Sequence, residues 1–181
     1  MDGDRPASRS GDRRGARPGA LAVCGDSAGG ALAAVVARRA RDHGLALALQ
    51  LLVFPVADAD PTRPSYAENE AYGPSAASLD WFWSHYVGPG GDRTHPDAAP
   101  LRATDLAGLC PAHVITAGCD TLRDEGEAYG DALAAAGVAV TRTRYEGQIH
   151  GFFRLGAAID RASACLDECG AVLRGAFAEA A

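Results

Sequence analysis

A serine between glycines is the residue of this chain best placed to do chemistry. Residues 25–29 read Gly-Asp-Ser-Ala-Gly, the pattern Gly-x-Ser-x-Gly, in which small residues permit a turn so tight that the serine side chain projects clear of the backbone. Such a turn lets Ser27 act as a nucleophile, and it leaves the Ala28 N–H at a helix start, where it can stabilise an oxyanion. The alternative is that Ser27 only caps a helix. A strand-like run before it, an alanine-rich helix after it and a third glycine, Gly30, favour the nucleophile.

A serine nucleophile needs a neutral imidazole to accept its proton and a carboxylate to orient that imidazole. Of the five histidines, His150 alone lies in a loop after a late predicted strand, so we expect it to be the base. Asp120 directly follows another predicted strand and is the expected acid. Asp124 is the alternative acid, although its place at a helix start is explained by the helix dipole. Asp26 is expected to cap or orient the serine turn.

The elements that must position these residues alternate between strand and helix, which predicts an α/β fold with a mostly parallel sheet. The predicted strands are 20–24, 45–54, 113–117 and 138–145, and the predicted helices are 28–42, 78–86, 124–136 and 157–177. In such sheets ligands bind at the carboxyl ends of the strands. Because Ser27, Asp120 and His150 each follow a strand, we expect all three at that one edge.

Four aromatic residues stand in the predicted helix 78–86, within a long irregular region. They are candidates for substrate binding, and they are Trp81, Phe82, Trp83 and Tyr86. Long irregular regions are often functional, so this helix is a candidate wall for an apolar pocket. The same residues are equally suited to anchoring the helix on the core. The sequence leaves both interpretations open.

Three segments of the chain resemble motifs of the bacterial hormone-sensitive-lipase-like esterases, a family of α/β-hydrolases. Residues 25–30 match the family's serine turn, residues 119–126 are similar to its Asp-Pro-Leu-x-Asp-Glu-Gly segment with Thr121 in place of proline, and residues 150–152 resemble its His-Gly-Phe. The resemblance runs from about residue 20 to the C-terminus. It implies an α/β-hydrolase fold and hydrolysis of small-molecule carboxylic esters through a serine acyl-enzyme, without metal or cofactor.

The family also carries a His-Gly-Gly-Gly segment upstream of the serine turn, and this sequence has none before residue 25. The resemblance therefore covers the C-terminal half of the fold, and we expect weak activity, with the Ala28 N–H as the identified oxyanion donor. We also expect strand 20–24 to be an exposed sheet edge through which the chain self-associates. Two alternatives remain: a catalytically inactive remnant or interaction module, and a serine peptidase of the related α/β-hydrolase type.

Composition limits the remaining function classes. The 181 residues are 48% hydrophobic and carry a formal charge of −6, which argues against a nucleic-acid or anionic-membrane surface. The sequence shows neither a signal-peptide core nor a membrane-length apolar stretch, and its five cysteines lack framework spacing, so we predict a cytoplasmic protein with free thiols. We predict a disordered tail at 1–18 and a partial catalytic domain at 19–181, with an insertion at about 57–111.

Overall fold

A computed structural model describes residues 21–180, so the predicted tail at 1–18 lies outside the described residues. Four strands form one parallel sheet in the order β1-β2-β3-β4. The strands are β1 (Ala22–Asp26), β2 (Leu49–Val53), β3 (Ala112–Cys119) and β4 (Val140–Ile149). The helices are α1 (Ala28–Asp42), α2 (Pro64–Asn69), α3 (Ala76–Val87), α4 (Arg123–Ala135) and α5 (Asp160–Glu179). The predicted α/β class is confirmed.

Helices cover both faces of the sheet because successive side chains of a strand point to opposite sides. On one face, Leu52 of β2 packs in a cluster with residues of α1 and α4. On the other face, Leu51 and Val53 pack in a cluster that contains Cys165 of α5. All five residues of β2 are buried, as expected of an inner parallel strand.

β1 forms one edge of the sheet within the described part of the chain. It pairs with β2 alone among residues 21–180, and none of its residues is buried: Cys24 is exposed and the other four are half-buried. The neighbouring helix α1 exposes Leu32 and Val36 by about half of their surface (52% and 49%). The predicted edge strand is therefore present in this part of the chain.

Two differences from the predicted elements matter for the site. β4 runs on to Ile149 instead of ending at residue 145, because an irregularity between Ala117 and Cys119 shifts the register of β3 and lets β4 continue beside it. The short helix α2, with Pro64 in its first turn, was not predicted within the irregular region. Within residues 21–180, no helix has the length and hydropathy needed to span a membrane.

Candidate active site

Ser27 is the single residue between the end of β1 and the start of α1. Its backbone is in an unusual conformation, with φ 56° and ψ −124°. A non-glycine residue in such a region costs about 1–3 kcal/mol and persists only where its surroundings hold it. Here the Ser27 N–H donates to the Val53 carbonyl over 2.9 Å, and the Ser27 carbonyl accepts from the Val56 N–H over 3.0 Å. The end of β2 thus holds the strained turn in place.

The glycines around Ser27 are required by close backbone contacts. A Cβ on Gly25 would lie 2.0 Å from the Gly29 carbonyl oxygen. A Cβ on Gly30 would lie 2.7 Å from Cβ of Pro55. Real Cβ atoms do not approach so closely, so larger side chains at these two positions would push α1 away from the ends of β1 and β2.

The side chain of Ser27 faces His150 and makes no capping hydrogen bond to α1. Ser27 Oγ lies 2.9 Å from His150 Nε2, and His150 Nδ1 lies 2.7 Å from Asp120 Oδ2. In a neutral imidazole whose Nδ1–H donates to Asp120, Nε2 is free to accept the serine proton. The three residues therefore form one hydrogen-bonded line with the geometry that proton removal from Ser27 requires, and the helix-cap alternative is not what the structure has.

His150 follows the last residue of β4, and an aromatic ring packs against its imidazole. The ring of Phe54 meets the imidazole edge-on, with centroids 4.8 Å apart. Phe54 is fully buried and has a positive φ of 35°. Gly151, in the left-handed conformation at φ 73°, turns the chain away after His150. The sequence did not single out Phe54 as part of the site.

Asp120 and its rival Asp124 have different partners. Asp120 is fully buried, and its second carboxylate oxygen accepts from the Leu122 N–H over 2.9 Å. Asp124 instead accepts from the Ser65 N–H over 2.8 Å and from Arg123 Nε over 2.9 Å. Of the two carboxylates, Asp120 contacts the imidazole, and Asp124 joins α4 to α2.

The other two predicted residues of the serine turn behave differently from each other. The Ala28 N–H, at the start of α1, donates to no other backbone group within residues 21–180, so it is available to an oxyanion. Asp26 pairs with Arg154, beyond the His150 turn, and does not cap α1. Of the two roles expected of Asp26, to cap or to orient the serine turn, the structure does not have the capping role, and its ion pair links the serine turn to the segment after β4.

A cavity of about 650 Å³ opens beside Ser27 and His150, and its other lining residues are almost all apolar. Three of the four predicted aromatic residues line it, namely Phe82, Trp83 and Tyr86. Trp83 is also buried against the core, so it serves both of the roles that the sequence left open. Trp81 lies outside the cavity and is exposed, and its ring packs against the His85 ring with their centroids 4.1 Å apart. His85 also lines the cavity, although it was not among the residues predicted for the pocket.

Glu125 is a fully buried carboxyl group in the first turn of α4. It accepts hydrogen bonds from the Ala57 N–H (2.8 Å), the Asp58 N–H (3.2 Å) and Tyr66 Oη (3.0 Å). Burial raises the pKa of Glu125 to about 8, although these three hydrogen bonds oppose the shift. The group fixes the chain after β2 against α4, and no local pattern in the sequence indicates this contact.

Comparisons with known proteins agree with the geometry. A protein-family model described as an alpha/beta hydrolase fold matches residues 6–154. The chain is 43% identical over 152 residues to the carboxylic ester hydrolase LipN of Mycobacterium tuberculosis; the aligned region is 80% of this chain and 40% of that protein. It is 39% identical over 145 residues to ethyl acetate hydrolase of Pseudomonas putida, and this aligned region is 78% of this chain and 46% of that protein.

Solved structures give the same result. The thermophilic carboxylesterase EstE1, cloned from a metagenomic library, superposes with a TM-score of 0.83 at 36% identity, over 88% of this chain and 56% of that one. The chain spans about half the length of the curated relatives it matches. The resemblance of its motifs to those of hormone-sensitive-lipase-like esterases is confirmed, and the chain belongs to the alpha/beta hydrolase fold family.

Proposed function

We propose that this chain carries the catalytic residues of a carboxylic ester hydrolase. Ser27 is the nucleophile, His150 the general base and acid, Asp120 the residue that orients the imidazole, and the Ala28 N–H an oxyanion donor. The observation that carries the proposal is the line of hydrogen bonds from Asp120 through His150 to Ser27, which ends at the mouth of an apolar cavity.

The proposed reaction has two halves. Ser27 Oγ attacks the ester carbonyl carbon while His150 Nε2 takes the hydroxyl proton, and the Ala28 N–H donates to the resulting oxyanion. Collapse expels the alcohol, which takes the proton from His150 and leaves an acyl group on Ser27. Water then attacks the acyl-serine with His150 again as base, which releases the acid and restores the hydroxyl. Each step uses groups of this chain, an ester and water.

The proposed substrate is a small-molecule ester with an apolar acyl or alcohol group. The cavity walls support this, because Phe82, Trp83 and Tyr86 present aromatic surface beside Ser27. The names of two relatives, a carboxylic ester hydrolase and an ethyl acetate hydrolase, support the ester bond as the target. Neither nucleic acid nor a membrane is a proposed partner. A cytoplasmic location is also proposed, in line with five free cysteines.

Labelling with a fluorophosphonate probe tests the assignment directly, because the probe reacts with an activated serine. We expect labelling at Ser27 in the wild type and none in Ser27→Ala or His150→Ala. Asp120→Asn should slow labelling by about 10⁴-fold. Asp124→Asn, which removes a neighbouring carboxylate that does not touch His150, is the matched control and should label far faster than Asp120→Asn.

Two outcomes would contradict the proposal. Labelling of Ser27 that survives His150→Ala would remove the base from the mechanism. Folded wild-type protein that does not label would favour the inactive remnant. A comparison of aryl esters with peptide anilides at equal concentration then separates an esterase from a peptidase, and we expect hydrolysis of the ester.

We also propose self-association through the β1 edge. Support comes from the residues of β1, none of which is buried and which pair with β2 alone within residues 21–180, and from Leu32 and Val36 exposed on α1 beside them. Sedimentation velocity of the purified chain at micromolar concentration should show dimers or larger species. A compact monomer that melts cooperatively would refute this part of the proposal.

A further inference from the structure

The turn that carries Asp120 receives hydrogen bonds from α2, a helix about 50 positions earlier in the chain. Asp120 follows the end of β3, so its carbonyl lies beyond the sheet. The Asn69 side-chain amide donates to the Asp120 carbonyl over 3.2 Å, and the Ser65 hydroxyl donates to the Thr121 carbonyl over 2.7 Å. Both donor side chains are buried, with 5% and 0% of their surface exposed.

α2 is itself fixed on the side that faces α4. The Ser65 N–H donates to Asp124 over 2.8 Å, and Ser65 Oγ accepts from the Asp124 N–H over 3.3 Å. Tyr66 Oη donates to Glu125 over 3.0 Å. These contacts fix the hydrogen-bond donors of α2 relative to the start of α4. The Asp120 turn leads directly into α4, so the donors are also fixed relative to that turn.

The chain after α2 encloses the same turn from another direction. A Cβ on Gly73 would lie 3.0 Å from Thr121 Oγ1 and 3.1 Å from the Thr121 nitrogen, so the backbone there lies directly against the turn. Thr121 Oγ1 donates to the Pro74 carbonyl over 2.9 Å. The turn at residues 120–121 is thus held between α2 and the segment 73–74, outside any strand or helix of its own.

We infer that Asn69 and Ser65 are positioning residues for Asp120, because they hold the carbonyls of the Asp120 turn so that its carboxylate faces His150. The inference rests on the proposed function, in which Asp120 orients the catalytic imidazole. The two residues hydrogen-bond to neither Ser27 nor His150, and neither lines the cavity. They act through the backbone. Without Asn69, the Asp120 carbonyl keeps the Arg123 N–H (3.1 Å) and loses its side-chain donor, and without Ser65, the Thr121 carbonyl loses the Ser65 hydroxyl. The turn is then less constrained and can shift the carboxylate away from His150 Nδ1.

The experiment uses the full chain with Asn69→Leu, which keeps the side-chain size and removes the amide, and Ser65→Ala, which removes one hydroxyl. Ser65→Thr restores a hydroxyl as the conservative variant. Ser84→Ala is the matched control, because Ser84 is a helical serine on α3 that does not contact the Asp120 turn. Two measurements are made on folded protein: the kinetics of fluorophosphonate labelling, and the proton resonance of the His150 Nδ1–H by NMR.

A positioning role predicts a specific split in the labelling kinetics. The concentration of probe at half-saturation should stay unchanged, because the cavity is intact, while the maximal labelling rate should fall about tenfold to 10²-fold in Asn69→Leu and Ser65→Ala. The His150 Nδ1–H resonance should move upfield or broaden in both variants as its hydrogen bond to Asp120 lengthens. Ser65→Thr should recover both properties in large part, and Ser84→Ala should match the wild type.

A purely structural role for α2 would lower stability and leave folded protein with wild-type labelling and an unchanged Nδ1–H resonance, which would overturn the inference. If Asn69→Leu does not fold, the smaller change Ser65→Ala decides the question by the same two measurements. If the wild type does not label at all, the proposed function fails, whereas the Nδ1–H resonance still reports whether α2 holds Asp120 against His150.

Discussion

Replacing Glu125 with glutamine tests how this buried carboxyl group makes the free energy of unfolding depend on pH. The carboxyl group is fully buried, and burial raises its pKa from 4.5 to about 8. The nearby Asp58 carboxylate adds to the rise, whereas the three hydrogen bonds that Glu125 accepts reduce it. At neutral pH the group is therefore mostly protonated in the native protein. Glutamine has nearly the same shape and cannot ionise, and its amide N–H can donate to the Tyr66 oxygen while its carbonyl keeps the two backbone donors.

The size of the effect follows from the difference between the native and unfolded pKa. Between pH 4.5 and about pH 8, the native state holds the Glu125 proton and the unfolded chain has lost it. The free energy of unfolding therefore falls as the pH rises through this window. At about 1.4 kcal/mol for each pKa unit, the fall attributable to Glu125 reaches at most about 5 kcal/mol. The Glu125→Gln variant lacks this fall, so its stability relative to wild type should grow as the pH rises.

Urea unfolding followed by circular dichroism, from about pH 5 to about pH 8, measures this difference. We expect wild type and Glu125→Gln to be similar at the acid end and the variant to be more stable by several kcal/mol at the alkaline end. Glu127→Gln on the same helix is the control: it loses a partly exposed ion pair with Arg144, so its effect should stay within about 1 kcal/mol. A constant difference between wild type and Glu125→Gln across the range would refute the reasoning.

Two further predictions concern packing at the serine turn and the hydrogen bonds between α5 and the sheet. Gly25→Ala should destabilise the protein by about 1–3 kcal/mol or more, because the added Cβ would lie 2.0 Å from the Gly29 carbonyl oxygen. Gly29→Ala has open space around the added Cβ, so it should be neutral or stabilising by up to about 1 kcal/mol. Urea unfolding of the two variants measures the difference. Burial opposes the shift at Glu168, but hydrogen bonds from Thr143, Tyr145 and His113 hold its pKa below the usual value. The stability from Glu168 is present above its unfolded pKa and is lost as the pH falls through the lower native one, so the advantage of wild type over Glu168→Gln should shrink on acidification.

The parts of the fold that follow local rules were predictable from the sequence. The bounds of α1 were predicted as the structure has them, because the serine turn marks its start and His43-Gly44 marks its end. Parallel strands expose their carboxyl ends at one edge, which is why three residues that each follow a strand were expected together. The structure brings Ser27, His150 and Asp120 within hydrogen-bond distance there.

The supporting contacts were not predictable, because they join residues far apart in the chain. Glu125 reaches Ala57 across 68 positions, and Asn69 reaches Asp120 across 51. No periodicity or motif records such pairs. The aromatic residues of α3 are an intermediate case: Phe82 and Tyr86 are four residues apart and both line the cavity, as helical spacing allows. Trp81 pairs with His85, also four residues away, yet His85 lines the cavity and Trp81 does not, so helical spacing alone does not divide the predicted group.

The carboxyl edge of the sheet contains two strained turns, each held by the adjacent strand. Ser27 and Phe54, at the ends of the neighbouring strands β1 and β2, are the two non-glycine residues with positive φ within residues 21–180. The Ser27 N–H donates to Val53, and the Phe54 N–H donates to Ile115 of β3 over 2.6 Å, so each strained residue is fixed by the adjacent strand. Because the Phe54 ring also packs on the imidazole of His150, relaxation of the β2 turn would displace the proposed nucleophile and base together. The strain, about 1–3 kcal/mol at each residue, therefore lies in the two turns that set the positions of Ser27 Oγ and His150 Nε2 relative to each other.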